Sequence, residues 1–374
     1  MSFKIPNTIS YKGENLVKMK NDGELPEGVL ATLITRAEAL LSTPLYSVVN
    51  RNKLAPSKNP HDYCSMGTYW WPDESKPDGL PYIRRDGYSN PEGRETLTPQ
   101  RLFESIQTLT LAAYYTEDMR YARRAVEFIR AWYIDEETYM TPHATYAQCI
   151  PGICDGRGIG LIDFATSYKL FDSVAILEAM DAINPSVAEA LREWYRKFMN
   201  WMLNSENGKE VMNFHNNHGT WFNVQIIATD LFAGDGSIAK RLIEQSYESR
   251  VLAHIKQDGA IPHELSRTKA YSYSLFDLRG LSLIAKLAER QGDFRYITKD
   301  AGRGNIVLLQ AIEFVQEALS NPEKYPYQEM HIETSRREMT ESLVFADAIF
   351  GTDYAEGARQ YLDDTMLWRL TPAI

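Results

Sequence analysis

Residues 98–132 read TPQRLFESIQTLTLAAYYTEDMRYARRAVEFIRAW, and their spacing decides the fold class. Leu102, Ile106, Leu109 and Ala112 recur in i, i+3 and i+4 steps, as on one face of a helix. Thr116-Glu117-Asp118 interrupts the pattern, and helical spacing resumes over 121–132, which predicts a helical hairpin. Further along the chain, helical spacing returns over 159–177, 186–203, 219–232, 239–255, 273–291, 305–316 and 338–349, joined by short polar or Gly-containing links. No alternating strand pattern lies between these stretches. Successive helix pairs without strands predict an all-α array, either an open solenoid or pairs closed into an α/α toroid, in one domain spanning residues 1–374.

The opening third differs, being rich in Pro, Gly, Asp and Tyr. Residues 56–99 contain Tyr69-Trp70-Trp71-Pro72-Asp73, Pro77-Asp78-Gly79 and Asn90-Pro91-Glu92-Gly93. Turn formers at this density predict a long loop, and long ordered loops commonly carry function. A toroid gathers the loops at one end of its inner helices into a cleft, so this aromatic-rich loop is expected to cover it.

Hydrophobic residues make up 44% and charged residues 24%, the balance of a globular chain. The aromatic share of 11% supplies core area and flat platforms for sugar rings. A net charge of −10 argues against nucleic acid as a partner, because that affinity rests on basic surface. An acidic ligand would need a local basic pocket. No stretch approaches the roughly 18 apolar residues that cross a bilayer, so no membrane partner is expected. Met1-Ser2-Phe3-Lys4-Ile5-Pro6 lacks the apolar core of a secretory signal. Cys64, Cys149 and Cys154 match no zinc spacing and are expected to be free or buried thiols. Oligomeric state is not legible.

Three polar clusters stand out. Asn213-Phe214-His215-Asn216-Asn217-His218-Gly219-Thr220-Trp221 precedes an apolar run. Asn216 or Asn217 would serve as a helix cap with Trp221 packed beneath, but a cap needs one polar side chain, and several Asn, two His and a Trp point to function. The second, His263-Glu264-Leu265-Ser266-Arg267-Thr268-Lys269-Ala270-Tyr271-Ser272-Tyr273-Ser274, brings a guanidinium and two phenols close in the chain. Taken alone, Arg267 would pair with Glu264 at i, i+3 on a helix surface. The third, Tyr146 to Gly160 with Gln148, Pro151, Gly152, Asp155 and Arg157, is dense in Gly, which suits either close approach to a ligand or an ordinary structured loop.

Together these residues resemble the alginate lyase superfamily of helical polysaccharide lyases. Asn216-Asn217-His218 followed by Trp221, then Glu264-Leu265-Ser266-Arg267 with a Tyr shortly after, carry the resemblance. Tyr69-Trp70-Trp71-Pro72, Pro81-Tyr82-Ile83-Arg84-Arg85-Asp86-Gly87 and Ile150-Pro151-Gly152 are similar to one bacterial branch. The likeness spans about residues 62–279 and implies an α/α toroid, an incomplete barrel of about six or seven antiparallel helix hairpins. It implies metal-independent β-elimination on alginate, polymannuronate first, or on a related polyuronate such as glucuronan, with no cofactor and a periplasmic or secreted place of action. By motif position Asn217 and Arg267 correspond to carboxylate neutralisers, His218 to a catalytic imidazole and Tyr273 to the phenol. Older alginate lyases carry Tyr before the Trp where this chain has Thr220, and Tyr271 competes for the phenol role.

The chemistry suits these residue types. Removing the C5 proton of a uronate places negative charge on the adjacent carboxylate, so preorganised donors are wanted where that charge develops. Substrate-contact candidates are Tyr69, Trp70 and Trp71 for stacking, Arg84, Arg85, Arg94 and Arg157 for carboxylates, and Tyr146, Gln148, Asn216, Trp221, His263 and Tyr271 around the clusters. Rival readings are a glycoside hydrolase, which needs two carboxylates such as Asp155 and Glu264, a noncatalytic acidic-glycan binder, and a metal-dependent hydrolase built on His215, His218 and His263.

Overall fold

Thr98 Oγ1 accepts the Arg101 N–H, Pro99 fills the first turn, and a helix runs Pro99–Thr116. Glu117 closes it in the left-handed region at φ 60°, and Asp118 at once caps the next helix, Met119–Tyr133, by accepting from Arg120 N–H. Those two link residues make the expected hairpin. The structure is a computed structural model that describes residues 4–23, 25–50, 54–91 and 98–373, and Arg94 lies outside the described residues.

The chain packs as two compact units. The first comprises Met1–Ile9, Leu30–Asn213 and Ala228–Asp235. Helix Pro99–Thr116 packs against Met119–Tyr133 and Tyr168–Ala179, and Met119–Tyr133 against Pro185–Asn204. An aromatic cluster fills this core: Phe171 stacks on Phe232 at 4.4 Å, and Phe171 meets Tyr195 edge-on at 4.7 Å. Trp194 is buried with Tyr133 against its ring, and its indole N–H donates to Met140 O at 2.7 Å. The long loop holds short strands. Cys64–Met66 runs parallel to Tyr146–Cys149, and Trp70–Trp71 pairs antiparallel with Ile83–Arg84.

The second unit comprises Ser10–Val29, Phe214–Ile227 and Gly236–Ile374. Its central helix, Ala270–Arg290, packs against Val307–Ser320 and Ile332–Phe350. Glu329 Oε2 accepts the Tyr271 and Ser272 N–H groups, both at 3.0 Å, satisfying donors that a helix start leaves open. This unit buries titratable groups. His254 and Asp277 pair at 2.9 Å with both side chains fully buried, and the Glu264 carboxyl is buried as well.

Several boundaries differ from expectation. Residues 159–177 form a 3₁₀ stretch, Gly158–Phe164, in which Asp163 accepts from Tyr63, Ser65 and Gln148, and then the helix Tyr168–Ala179. Residues 239–255 form the helix Ser237–Ser246 followed by a π-helical turn, Tyr247–Leu252, which carries Arg250. The helix expected over 338–349 begins at Ile332, where half-buried Arg336 and exposed Arg337 obscure its apolar period. Helices Gly13–Asp22 and Glu27–Ser42 fall in the segment read as turn-rich. Their signal was present: Val29, Leu33 and Ala37 are fully buried at four-residue spacing.

Two outcomes follow from these cores. Trp194→Ala removes a buried ring and strands Met140 O, and should cost about 3–5 kcal/mol in urea unfolding; a loss under about 1 kcal/mol would remove Trp194 from the core that holds the first unit. Burial first, then Asp277, pushes the Glu264 pKa up to about 7 from 4.5. A raised acid pKa contributes stability that is present below the unfolded value and lost as pH rises through the folded one. The stability of the wild type relative to Glu264→Gln should therefore fall between pH 5 and 8 on the order of 1–3 kcal/mol, and a flat difference across that window would contradict the burial argument.

Candidate active site

The helix Asn217–Ala233 begins inside the first polar cluster, and its two asparagines do different jobs. Asn216 Oδ1 accepts the His218 N–H at 3.1 Å and so takes the capping role. Asn217 is turned inward. Its backbone N–H donates to Glu264 Oε1 at 2.7 Å and its side-chain Nδ2 donates to Glu264 Oε2 at 2.8 Å. The turn before the helix is pinned by Arg250, whose Nη1 donates to Phe214 O at 2.6 Å. His218 is half-buried, with its ring edge-on to Phe214 at 6.3 Å.

Glu264 sits in the short helix Pro262–Leu265, and the Arg267 N–H donates to Glu264 O at 3.1 Å. The side chains diverge: the Glu264 carboxylate turns to Asn217, and the Arg267 guanidinium lies over the Tyr273 ring, its carbon 4.4 Å from the centroid. Arg267 Nη2 also donates to Tyr273 Oη at 3.4 Å. The surface i, i+3 pairing considered from sequence does not describe this carboxylate, which is 1% exposed and bonded elsewhere. Contacts therefore run in sequence from Asn217 through Glu264 and Arg267 to Tyr273. Trp221 fastens the same region from below, stacking on Phe276 at 4.9 Å and donating to Phe276 O at 3.0 Å.

Three of the expected site residues are buried: Trp221 is 0% exposed, Tyr271 1% and Asn217 3%. Burial also pushes the Tyr271 pKa up to about 12, which favours the neutral phenol. Tyr273 is half-buried and touches Arg267. His263 and His215 are exposed. Among the described residues no three His, Cys, Asp or Glu side chains form a set able to hold a metal ion, and no disulfide joins Cys64, Cys149 and Cys154.

The remaining candidates lie in the first unit. Gln148 adopts φ 49°, rare for a side chain with a Cβ, and is over-determined by its neighbours. Its N–H donates to Ser65 Oγ at 2.8 Å and its Nε2 to Asp163 Oδ1 at 3.1 Å, while Arg157 donates to its backbone O at 3.0 Å and to its Oε1 at 3.2 Å. The Arg157 guanidinium carbon lies 5.8 Å from the Trp70 ring centroid, and burial lowers its pKa. Arg85 lies 5.2 Å over Trp71 and pairs with Glu74 at 3.0 Å, while Arg84 pairs with Asp86 at 2.7 Å. Tyr69 and Tyr146 are half-buried. The glycines of the third cluster serve the scaffold: a Cβ on Gly156 would come within 2.1 Å of Thr145 O, and one on Gly158 within 2.3 Å of Asn207 O.

Sequence reasoning passed over two carboxylates, Glu264 as an organiser of Asn217 and Asp163 as the acceptor for Tyr63, Ser65 and Gln148. For Glu264 the only signal was its place three residues before Arg267. For Asp163 there was none, since its partners lie up to 100 residues away in the chain.

The alginate lyase family model matches residues 47–325. The structure is similar to that of an alginate lyase from Bacteroides ovatus, with a TM-score of 0.90 and 33% identity over 98% of this chain and 99% of that one. It also resembles alginate lyase A1-III from Sphingomonas species A1, with a TM-score of 0.58 and 17% identity over 91% of this chain and 94% of that one. A variant of A1-III complexed with tetrasaccharide aligns at a TM-score of 0.56 and 17% identity, over 86% of this chain and 88% of that one. No curated protein sequence matches the chain significantly. The helix-rich structure and these alignments agree with the all-α toroid class expected from the sequence. With three quarters of its length matched by the family model and a third of its residues identical to a relative aligned end to end, the chain belongs to the alginate lyase family of polysaccharide lyases.

Proposed function

We propose that the chain cleaves 1,4-linked polyuronate by β-elimination, polymannuronate first, leaving 4,5-unsaturated uronate ends. The observation that carries this reading is the Arg267 guanidinium packed on the ring and hydroxyl of Tyr273, one turn from the glutamate that holds Asn217. Taking the C5 proton makes a dianionic, enolate-like carboxylate, and Arg267 and Asn217 are the donors that meet its charge. The helix start at Asn217 adds partial positive charge.

Tyr273 takes the proton. The adjacent guanidinium stabilises the negative charge the phenol carries once it has lost its own proton. In mannuronate and glucuronate, C5–H and the departing O4 share a face, so one phenol serves as base and then as acid. In guluronate they lie on opposite faces, and His218 becomes the base while Tyr273 protonates the leaving oxygen. The syn arrangement asks for one phenol beside one cation, which is the pairing that Tyr273 and Arg267 make, and this favours mannuronate. Glucuronan satisfies the same requirement and is the second substrate.

Elsewhere in the chain, Tyr69, Trp70, Trp71 and Tyr146 are the sugar-stacking candidates, Arg84, Arg85, Arg157 and His263 the positive or polar groups suited to further carboxylates, and Gln148 and Asn216 the amides. The ligand is an acidic poly- or oligosaccharide, and the place of action is periplasmic or extracellular. A hydrolase would draw on Glu264 as one of two carboxylates, but that group is 1% exposed and accepts both of its bonds from Asn217.

Ultraviolet absorbance of the new C4–C5 double bond, followed on polymannuronate, polyguluronate and glucuronan with chelator present, should rise fastest on polymannuronate. Silence on all three polymers would sink the lyase reading. Tyr273→Phe should lower kcat by about 10²–10⁴-fold on the preferred polymer. Arg157→Ala should act on KM more than on kcat, raising KM roughly tenfold by removing a charge-assisted contact; an unchanged KM would remove Arg157 from substrate binding.

A further inference from the structure

The Asn217 amide nitrogen bears two hydrogens, and the protein accounts for one. Once ionised, a carboxylate has acceptor lone pairs on both oxygens and no donor, so above its raised pKa Glu264 takes the backbone N–H and one Nδ2 hydrogen together. That fixes which way the amide faces. Turned over, Asn217 Oδ1 would oppose Glu264 Oε2, oxygen against oxygen. The second Nδ2 hydrogen is left directed away from Glu264, and none of the described residues accepts it.

Fold stability does not call for an acid here. Glu264 is 1% exposed, and Asp277 lies close enough to oppose its ionisation. A buried charge is expensive unless well bonded, and a packed apolar side chain at such a place commonly serves a fold as well or better. The two bonds to Asn217 are what an apolar residue would not reproduce. We infer that Glu264 is a positioning residue that locks the Asn217 amide with its second N–H aimed at the uronate carboxylate, so that the donor is in place before charge develops. This rests on the elimination reading of the site and adds to it the reason Asn217 needs no reorganisation during the reaction.

A double-mutant cycle tests it. Glu264→Gln keeps the volume but sets an NH₂ against one of the two Asn217 donors, which turns the Asn217 amide or breaks its hold. On the preferred polyuronate kcat should fall about 10–100-fold with KM within about threefold. In an Asn217→Ala background the same substitution should change kcat less than about twofold, because the group it positions is already gone. A wild-type kcat in Glu264→Gln overturns the inference. So does an equal fold-loss with and without Asn217, which would mean that Glu264 acts by another route. If the unsubstituted chain forms no unsaturated product on any polyuronate, the elimination reading fails and takes the inference with it, an outcome distinct from an active enzyme indifferent to Glu264. Circular dichroism checks folding. Should Glu264→Gln not fold, Glu264→Asp, which keeps the charge but shortens the reach, runs the same cycle with the same two criteria.

Discussion

A buried carboxylate must be surrounded by donors, and the second unit is organised around meeting that demand for Glu264. Its oxygens accept the first N–H of one helix and the side-chain amide of the same residue, so the start of Asn217–Ala233 is tied to the turn that leads into Ala270–Arg290. The other ties in this region are consistent with that join. Arg250, carried on a π-helical turn, holds Phe214 O, and Trp221 donates to Phe276 O. A π turn places a side chain where an unbroken α-helix would aim it elsewhere, which is why such turns recur at functional sites.

The first unit solves a similar problem with a different acid. Asp163 accepts from Tyr63, Ser65 and Gln148, and through Gln148 it supports the Arg157 guanidinium beside Trp70. The left-handed backbone of Gln148 costs on the order of 1–3 kcal/mol, and it persists because hydrogen bonds to three other residues hold it. In both units an acid distant in sequence accepts from a side-chain amide, Asp163 from Gln148 and Glu264 from Asn217. Amides held in this way have their direction set by hydrogen bonds, which fix geometry more tightly than packing alone.

Much of this was legible from the chain. Apolar spacing over 98–132 marked the Pro99–Thr116 and Met119–Tyr133 helices, and the Thr116-Glu117-Asp118 break marked the turn between them. The Asn-Asn-His and Glu-Leu-Ser-Arg motifs pointed to the alginate lyase family, to which the chain belongs. What misled was composition taken over too long a window. The opening third reads as loop because Pro and Gly are frequent there, while Val29, Leu33 and Ala37 carry a short helical period inside it.

Sequence alone determined the helical class, the hairpin over 98–132 and the identity of the polar clusters, because helix periodicity is a local property written within a few residues. It did not determine which of two neighbouring phenols meets Arg267, that Trp221 lies in the core, or that Glu264 serves Asn217 and not Arg267. Those outcomes depend on burial and on partners brought together across 47 or more residues of chain, as with Asn217 and Glu264. Side-chain direction around a turn is set by what packs against it, so only the tertiary structure decided them.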